Sequence, residues 1–360
     1  MAELILEKIS KKYRTSTEPL VVLRDISLHI SSPQTLAILG PSGCGKSTLL
    51  HLIGTLDSPT TGEVRLDDIN PFELSEQELA KFRNTRIGFV FQDHHLLPQL
   101  TALENVLIPV LAKGNPTSDM VARAGDLITQ VGLPNRSNHL PSELSGGERQ
   151  RVAVARALVL EPEVLLFDEP LSNLDAKLRR RVREEIRELQ QELSLTTVYV
   201  THDQEEALAV SDRIIVMNEA VIAQEGTPKQ LYEEPVNLFV SDFIGDANLV
   251  KSTILEIDGS KADVDIGGIQ LQLPNRGLIS GNAMAAIRPQ SICLLESGTE
   301  IGISGTILKS SYLGDHLEYT VKCELGELFV IDNQIQKQHP SGANVSITFQ
   351  SYGVSLIPES

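Results

Sequence analysis

Apolar residues in the first two thirds of the chain form short continuous runs that alternate with segments of helical period. Four runs are rich in β-branched residues, as expected of buried strands. They cover residues 35–40, 164–169, 196–201 and 213–217. Strands that alternate with helices predict a mostly parallel sheet covered by helices, that is, an α/β domain.

A long helix is predicted over residues 176–193. Its apolar residues recur at steps of four, four, three and four, which places them on one stripe: Leu178, Val182, Ile186, Leu189 and Leu193. Charged residues occupy the rest of the surface. We therefore expect a surface helix packed on the sheet, with its charges in solvent.

The pattern changes after about Asn237. From Val250 onward helical period is absent, and short strand-like segments are separated by turn residues. In residues 316–324 apolar and polar positions alternate. This alternation places four residues on one face of a strand: Leu317, Tyr319, Val321 and Cys323. Such strands predict a small all-β, barrel-like domain. We expect residues 1–240 and 241–360 to form separate domains.

Composition excludes some functions. The 360 residues carry a formal net charge of −17, which disfavours nucleic acid as a partner, because binding to phosphate backbones needs excess Lys and Arg. No apolar run reaches the roughly 18–20 residues that span a bilayer, and the first residues lack a signal-peptide pattern. The three cysteines, Cys44, Cys293 and Cys323, show no paired spacing. A cytosolic chain is expected.

The stretch GPSGCGKST between a predicted strand and a helix matches the phosphate-loop pattern G-x-x-x-x-G-K-[ST]. It comprises Gly40, Pro41, Ser42, Gly43, Cys44, Gly45, Lys46, Ser47 and Thr48. Backbone N–H groups and the helix N-terminus would bind phosphate oxygens. Lys46 would neutralise the β- and γ-phosphates, and Ser47 would offer its hydroxyl to Mg²⁺. The competing interpretation is a glycine-rich turn with a chance lysine.

Two carboxylates and a histidine follow neighbouring predicted strands. Asp168 is placed to hold Mg²⁺ and Glu169 to polarise an attacking water, although such a pair can also cap a helix. His202 ends another strand at the same expected edge of the sheet, where it could bond the γ-phosphate. A lone histidine is more often structural, so both interpretations stay open.

A second glycine strip, Ser145, Gly146 and Gly147, opens another predicted helix. A helix N-terminus with a serine hydroxyl is a further anion-binding site. Since one chain needs one triphosphate site, the strip is predicted to complete the site of a second copy in a head-to-tail pair.

At this point the chain resembles the ATP-binding subunits of ABC transporters. The resemblance rests on motifs in order: GPSGCGKST, Gln92, LSGGERQ, VLLFDEP, SNLD and His202. It implies that Lys46 and Ser47 bind phosphate and Mg²⁺, that Gln92 senses Mg²⁺ and water, that Asp168 holds the metal and that Glu169 is the general base.

The resemblance also implies roles between two copies. Ser145 and Gly147 would contact the partner's γ-phosphate, Asp175 would bridge the two sites, and His202 would be the switch. Tyr13 matches the aromatic position on which adenine stacks, with an ordinary surface aromatic as the alternative.

Two parts of the chain resemble different subgroups. The segments AAIRPQSICL and SYLGDHLEYTV resemble the accessory β-barrel domain of ATPases that import maltose, sulfate, polyamines or iron(III), a domain that regulates or strengthens dimerisation. Residues 55–154 resemble the ATPases of lipoprotein-releasing export complexes. An importer is favoured because the exporters have no evident use for the barrel.

The expectation is a P-loop ATPase domain with a helical subdomain, which uses ATP and Mg²⁺ and powers solute uptake as a nucleotide-sandwich homodimer. Its partners would be membrane permease subunits and a solute-binding protein, at the cytoplasmic face of the membrane. Alternatives are an export ATPase, a soluble ABC ATPase outside transport, and a regulatory module with an inactive cassette.

Adjacent His94 and His95 could suggest a metal site, a catalytic cluster or a docking surface. In a strand they would point to opposite faces, and no third ligand accompanies them, so a metal is disfavoured. The resemblance places residues 93–100 mainly at the membrane partner, with Leu96 and Leu97 as candidates for its groove. Ordinary core packing is the alternative for both leucines.

Overall fold

A computed structural model describes residues 3–16, 18–172, 174–296 and 302–358. The chain divides into two compact units, residues 1–228 and 229–360. The domain boundary between residues 240 and 241 remains a prediction. In the described residues, no helix combines the length and the apolar character needed to cross a membrane.

The first unit combines two sheets with helices. Its strands are β1 (Glu3–Tyr13), β2 (Leu20–Ser31), β3 (Thr35–Leu39), β4 (Thr61–Leu66), β5 (Ile87–Val90), β6 (Val164–Asp168), β7 (Thr196–Val200), β8 (Arg213–Asn218) and β9 (Val221–Gly226). Its helices are α1 (Lys46–Ile53), α2 (Glu76–Arg86), α3 (Ala102–Leu111), α4 (Ser118–Gln130), α5 (Gly146–Leu158), α6 (Ala176–Glu192) and α7 (Gln204–Val210). Single 3₁₀ turns occur at Pro71–Glu73 and Pro141–Glu143.

The larger sheet confirms the predicted α/β fold. Its order is β5-β6-β7-β3-β8-β9, with parallel pairing from β5 through β8 and an antiparallel edge strand β9. Strands β3 and β6 each end one residue earlier than predicted, because Gly40 and Glu169 have φ of 152° and 45° and leave the extended conformation. The carboxyl ends of the five parallel strands meet at one edge.

The smaller sheet was not among the predicted elements. It is antiparallel, in the order β2-β1-β4. Alternation of buried Ile26, Leu28 and Ile30 with exposed residues in β2 is the signal that identifies it. Its core packs with α1 and the larger sheet in one apolar cluster.

Helices α3, α4 and α5 share a second apolar cluster, which corresponds to the expected helical subdomain. Helix α6 confirms the predicted stripe. Val182 and Ile186 are buried, whereas Leu178 and Leu189 are half-buried against the same cluster. Leu193 lies at the C-cap and is 42% exposed, because the helix ends before it.

Helix α8 (Pro228–Glu233) begins at the boundary of the units and α9 (Leu238–Phe243) follows it. The strands of the second unit are β10 (Asn248–Asp258), β11 (Lys261–Ile266), β12 (Ile269–Pro274), β13 (Gly281–Ile287), β14 (Ile292–Glu296), β15 (Ile303–Tyr312), β16 (Leu317–Cys323), β17 (Gly326–Asp332), β18 (Asn344–Phe349) and β19 (Val354–Ile357). They form two antiparallel sheets, β12-β11-β10-β13-β19 and β14-β18-β15-β16-β17, around one core.

The predicted all-β character of this region is therefore confirmed. In β16, Leu317, Tyr319 and Val321 are buried and Cys323 is half-buried, as the alternation predicted. A 3₁₀ turn, Pro289–Ser291, separates β13 from β14.

Candidate functional site

The loop between β3 and α1 leaves the N-terminus of α1 open. Gly45 is the N-cap, in a left-handed conformation with φ of 105°, and no side chain caps the helix. A Cβ at this position would lie 2.5 Å from the carbonyl oxygen of Val22, so the tight approach requires glycine. The first N–H groups of α1 therefore remain available to an anion.

Lys46 brings a positive charge into this loop. Its Nζ donates to the carbonyl oxygens of Gly40 and Pro41, at 2.9 and 3.0 Å, and the residue is buried. The adjoining cavity of about 360 Å³ is lined by Val22, Ser42, Gly43, Gly45, Lys46, Ser47, Thr48 and Glu169. A cavity with an ammonium group in its lining and helix N–H groups at its base suits phosphate.

Three of the predicted loop residues do not line the cavity: Gly40, Pro41 and Cys44. Cys44 is buried, and burial raises the pKa of its thiol. A Cβ on Gly40 would come within 2.6 Å of Cys44 Sγ and 2.4 Å of the Met217 oxygen. Cys44 therefore packs tightly against the loop.

The strand-end carboxylates meet the phosphate loop. Ser47 Oγ donates to Asp168 Oδ1 at 3.1 Å. Glu169 lines the cavity, and its Oε2 lies 3.0 Å from Nδ1 of His202. The structure thus brings together Ser47, Asp168, Glu169 and His202, which the sequence placed on separate segments.

Residues 168 and 169 share this edge because the chain turns between them. Successive side chains of a strand point to opposite faces. Glu169 instead adopts a left-handed φ of 45°, while its N–H still donates to the oxygen of Val200 at 3.0 Å. The turn directs both carboxylates to the loop side of the sheet.

His51 is a neighbour of Asp168 that sequence reasoning missed. Its Nε2 lies 3.7 Å from Asp168 Oδ2. The signal was available, because residue 51 follows Ser47 by one helical turn and so shares its face of α1.

The donor set at this edge fits magnesium. A serine hydroxyl and a carboxylate are hard oxygen ligands, and Mg²⁺ commonly uses one or two carboxylates together with substrate phosphates. Over the described ranges, no group of three or more His, Cys, Asp or Glu side chains is arranged for a metal. A metal here would therefore need oxygen ligands from the nucleotide and water.

Gln92 lies at the same edge. It is exposed and follows β5, whose Val90 pairs with Phe167 of β6. The carboxyl end of β5 therefore places Gln92 one strand away from Asp168.

The two histidines that follow are in a turn and not in a strand. His94 and His95 have left-handed φ values of 61° and 45°. His94 is buried, which lowers its pKa, whereas His95 is exposed. Arg156 of α5 donates to both backbone oxygens, at 2.5 and 2.7 Å, and thereby holds the turn.

The leucines beyond this turn differ in exposure. Leu96 packs against the core of the helical subdomain, whereas Leu97 is 48% exposed. Buried Asn105 fixes the backbone of Leu97, accepting from its N–H at 2.8 Å and donating to its oxygen at 3.1 Å. Of the two docking candidates, only Leu97 presents a large apolar surface.

The second glycine strip is closed by its own side chains. Ser145 is the N-cap of α5, and its Oγ accepts from the N–H of Glu148 at 3.3 Å. Glu148 Oε2 accepts from the N–H of Ser145 at 2.8 Å, a bond that lowers the pKa of this carboxyl. Leu178 lies 3.0 Å from a Cβ built on Gly147. None of Ser145, Gly146 and Gly147 lines the described cavity at the phosphate loop.

Asp175 is the N-cap of α6 and is exposed. It accepts from the N–H of Leu178 at 3.0 Å. Residue 173 of the SNLD motif lies outside the described residues.

Tyr13 ends β1 beside the loop and is 40% exposed. Its hydroxyl donates to Asp57 Oδ2 at 2.7 Å, and Lys11 Nζ lies 4.9 Å from the ring centroid. Partial burial raises the pKa of the phenol, and a hydrogen bond with Thr48 acts in the opposite direction. That bond places the ring next to the last residue of the phosphate loop.

An open helix N-terminus, a buried lysine and convergent oxygen ligands at one edge of a parallel sheet define a P-loop nucleotide-binding ATPase. Comparison with known proteins identifies the family. The family described as ABC transporter matches residues 23–172, and the TOBE domain family matches residues 285–357.

Relatives that match nearly the whole chain support the same family. The chain is 44% identical over 346 residues to the Fe(3+) ions import ATP-binding protein FbpC of Rhizobium etli, covering 96% of each chain. It is 45% identical to FbpC 1 of Rhizobium meliloti and 39% identical to FbpC of Vibrio cholerae, covering 98% of this chain and 97% of each relative. The chain belongs to the ABC transporter family.

A solved structure supports the fold of the first unit. A dimeric post-hydrolysis state of the ATP-binding cassette MJ0796 bound to ADP and Pi has a TM-score of 0.58 and 39% identity, and covers 62% of this chain and 98% of that chain. The predicted function is thus confirmed at this level: the protein is an import ATPase that binds ATP and couples its hydrolysis to uptake through a separate permease.

Proposed function

We propose that this protein powers the import of iron(III), with the metal as cargo and not as a cofactor. The support is that its relatives from three organisms are named as Fe(3+) import proteins and match through both units of the chain. The protein would work at the cytoplasmic face of the membrane, bound to permease subunits that receive iron from a solute-binding protein.

The working unit is a head-to-tail dimer that encloses two ATP molecules. The observation behind this proposal is that, in the described residues, the strip at Ser145 does not line the phosphate cavity of its own chain. The dimeric MJ0796 cassette, a relative of the first unit, supports it. ATP would favour the closed dimer because it contacts both copies only in that state.

The chemistry is hydrolysis of the terminal phosphate bond. Lys46 and the open end of α1 bind the phosphates, while Ser47 and Asp168 would hold Mg²⁺, which neutralises charge on the phosphate oxygens. Glu169 orients water and accepts its proton, and His202, which contacts Glu169, bonds the γ-phosphate.

The remaining predicted residues act around this centre. Gln92 would sense the metal and the attacking water from the neighbouring strand end. Ser145 and Gly147 would reach the partner's γ-phosphate, and Asp175 would lie between the two sites. Tyr13 would stack on adenine.

The membrane partner would dock beside Gln92. Exposed Leu97, whose backbone is fixed by Asn105, is the proposed anchor for an apolar groove of the permease. This arrangement would place the coupling surface a few residues from the catalytic edge.

Glu169→Gln tests the shared site. The amide keeps the shape of the side chain but cannot accept a proton, so ATP with Mg²⁺ should trap a dimer detectable by light scattering. Glu76→Gln, on an exposed turn of α2, is the control and should not accumulate a dimer. A Glu169→Gln protein that stays monomeric in saturating ATP and Mg²⁺ would contradict the dimer.

The cargo is tested with the co-purified permease in vesicles. Iron(III) delivered on the solute-binding protein should accumulate in an ATP-dependent manner. Stimulation by maltose, sulfate or a polyamine, without accumulation of iron, would overturn the assignment of iron(III).

A further inference from the structure

The residues on both sides of His202 are anchored. Thr201 donates its hydroxyl to the carboxylate of Glu206, which also accepts from the hydroxyl of Tyr199. Glu206 is only 3% exposed, and burial raises its pKa. The N–H of Asp203 donates to Thr201 Oγ1 at 3.0 Å. The orientation of His202 therefore depends on where Thr201 and Asp203 are held.

Arg179 connects this segment to the loop that ends at Asp175. Its Nη1 lies 3.0 Å from Asp203 Oδ2, and its Nη2 donates to the backbone oxygen of Leu174 at 3.1 Å. The ion pair is partly shielded, with side chains 34% and 27% exposed. One guanidinium thus binds the residue after His202 and the residue before Asp175.

Stability of α6 does not account for this arginine. The positive end of the helix dipole is at the N-terminus, where a basic side chain is unfavourable. Arg179 lies one turn from the N-cap Asp175, and the first turn of α6 contains no acidic residue. The position of Arg179 is better explained by the two loops that it joins.

We propose that Arg179 is a positioning residue that makes the orientation of His202 depend on the loop carrying Asp175. The inference rests on the proposed dimer, in which Asp175 faces the second copy. Arrival of that copy shifts the Leu174 oxygen, and Arg179 transmits the shift through Asp203 to His202. Hydrolysis in one site thereby responds to occupancy of the interface by the other copy.

The experiment compares Arg179→Ala, Asp203→Asn and the double variant in the full-length protein. Each single change should lower kcat by roughly tenfold or more, as loss of positioning does, and leave the KM for ATP unchanged. The double variant should be no worse than either single variant, because both remove the same link. Arg180→Ala is the matched control, since Arg180 lies on the same helix, 76% exposed and paired with Glu184, and should retain the parental kcat.

A parental kcat in Arg179→Ala, an increase in KM alone, or additive losses in the double variant would overturn the link. Thermal unfolding separates this role from a structural one, because a lower Tm with unchanged kcat would also contradict it. If Arg179→Ala does not fold, Arg179→Lys replaces it, since one ammonium cannot reproduce both guanidinium bonds, and the same loss of kcat is expected.

Comparison of the Glu169→Gln and Arg179→Ala variants distinguishes the two proposals. If ATP traps Glu169→Gln as a dimer while Arg179→Ala keeps the parental kcat, only the proposed link is refuted. Failure of Glu169→Gln to dimerise would refute the proposed function, and the link with it, because the link requires a second copy.

Discussion

Helices α1 and α5 both begin with a glycine-containing strip, but their N-termini are in opposite states. At α1 the N-cap is Gly45, which offers no side chain to the first N–H groups. At α5 the N-cap is Ser145, and a reciprocal pair of bonds with Glu148 satisfies the N–H groups of both residues. Helix N-termini with similar glycines are therefore not equivalent as anion sites.

The difference indicates how a shared site would be divided. The N-terminus of α1 is prepared to bind phosphate without rearrangement, which reduces the free-energy cost of binding. At α5, Ser145 Oγ already accepts a bond but keeps its own proton to donate. We therefore expect α1 to determine affinity and α5 to determine what happens once two copies have met.

The largest effect is expected at α1. Lys46→Ala removes a buried ammonium from the phosphate cavity, and losing one partner of a buried charge pair costs about 2–5 kcal/mol, which is roughly thirtyfold in affinity or more. Calorimetric titration with ATP and Mg²⁺ measures it. Lys81→Ala, on the exposed surface of α2, should bind normally. Near-normal turnover in Lys46→Ala would mean that the loop does not bind the triphosphate.

An intermediate effect is expected at α5. Ser145→Ala removes the cap, which costs about 1 kcal/mol of stability, and also the hydroxyl proposed to reach the partner's phosphate. Binding of ATP by the monomer should be unchanged, while kcat should fall by roughly tenfold, the value of one charge-assisted hydrogen bond.

Ser75→Ala provides a matched control for the cap. Ser75 and Glu78 form the same reciprocal pair at the start of α2, at 3.4 and 3.0 Å. Urea unfolding should show similar losses of stability in both variants, and a loss of kcat only in Ser145→Ala. If Ser145→Ala and Ser75→Ala have the same kcat, the α5 strip acts only as a helix cap.

The smallest effect is expected at Tyr13, which lies beside the phosphate loop that precedes α1. Tyr13→Ala removes the ring proposed to stack on adenine, which is worth about 1 kcal/mol at an exposed site, or several-fold in the KM for ATP. Tyr13→Phe keeps the ring and loses only the hydrogen bonds of the hydroxyl to Asp57 and Thr48, so its KM should match the parent. If Tyr13→Ala also matches the parent, Tyr13 is an ordinary surface aromatic.

The phosphate loop could be predicted because its signal is local. A buried strand, the spacing of Gly40, Gly45 and Lys46, and a following helix occur within one short segment, and backbone geometry leaves few alternatives. The strand-end positions of Asp168 and His202 were predictable for the same reason. The roles of these residues remain predictions.

Other features depend on contacts between distant segments. The pairing of Glu3 with Ser31, and the bond between Arg179 and Asp203, follow from packing that no spacing rule records. The turn at His94 and His95 was missed for a different reason: two successive left-handed residues normally call for glycine, which is absent there. Backbone strain of this kind leaves no signal in a hydrophobic pattern.

The left-handed backbone at Glu169 has a consequence for how the protein can change. An L-residue with a side chain pays about 1 kcal/mol to adopt that conformation, a cost that glycine avoids. Glycine at 169 would therefore favour the fold and remove the carboxylate next to His202. With the proposed role of Glu169 as general base, thermal stability and turnover would therefore favour different residues at this position.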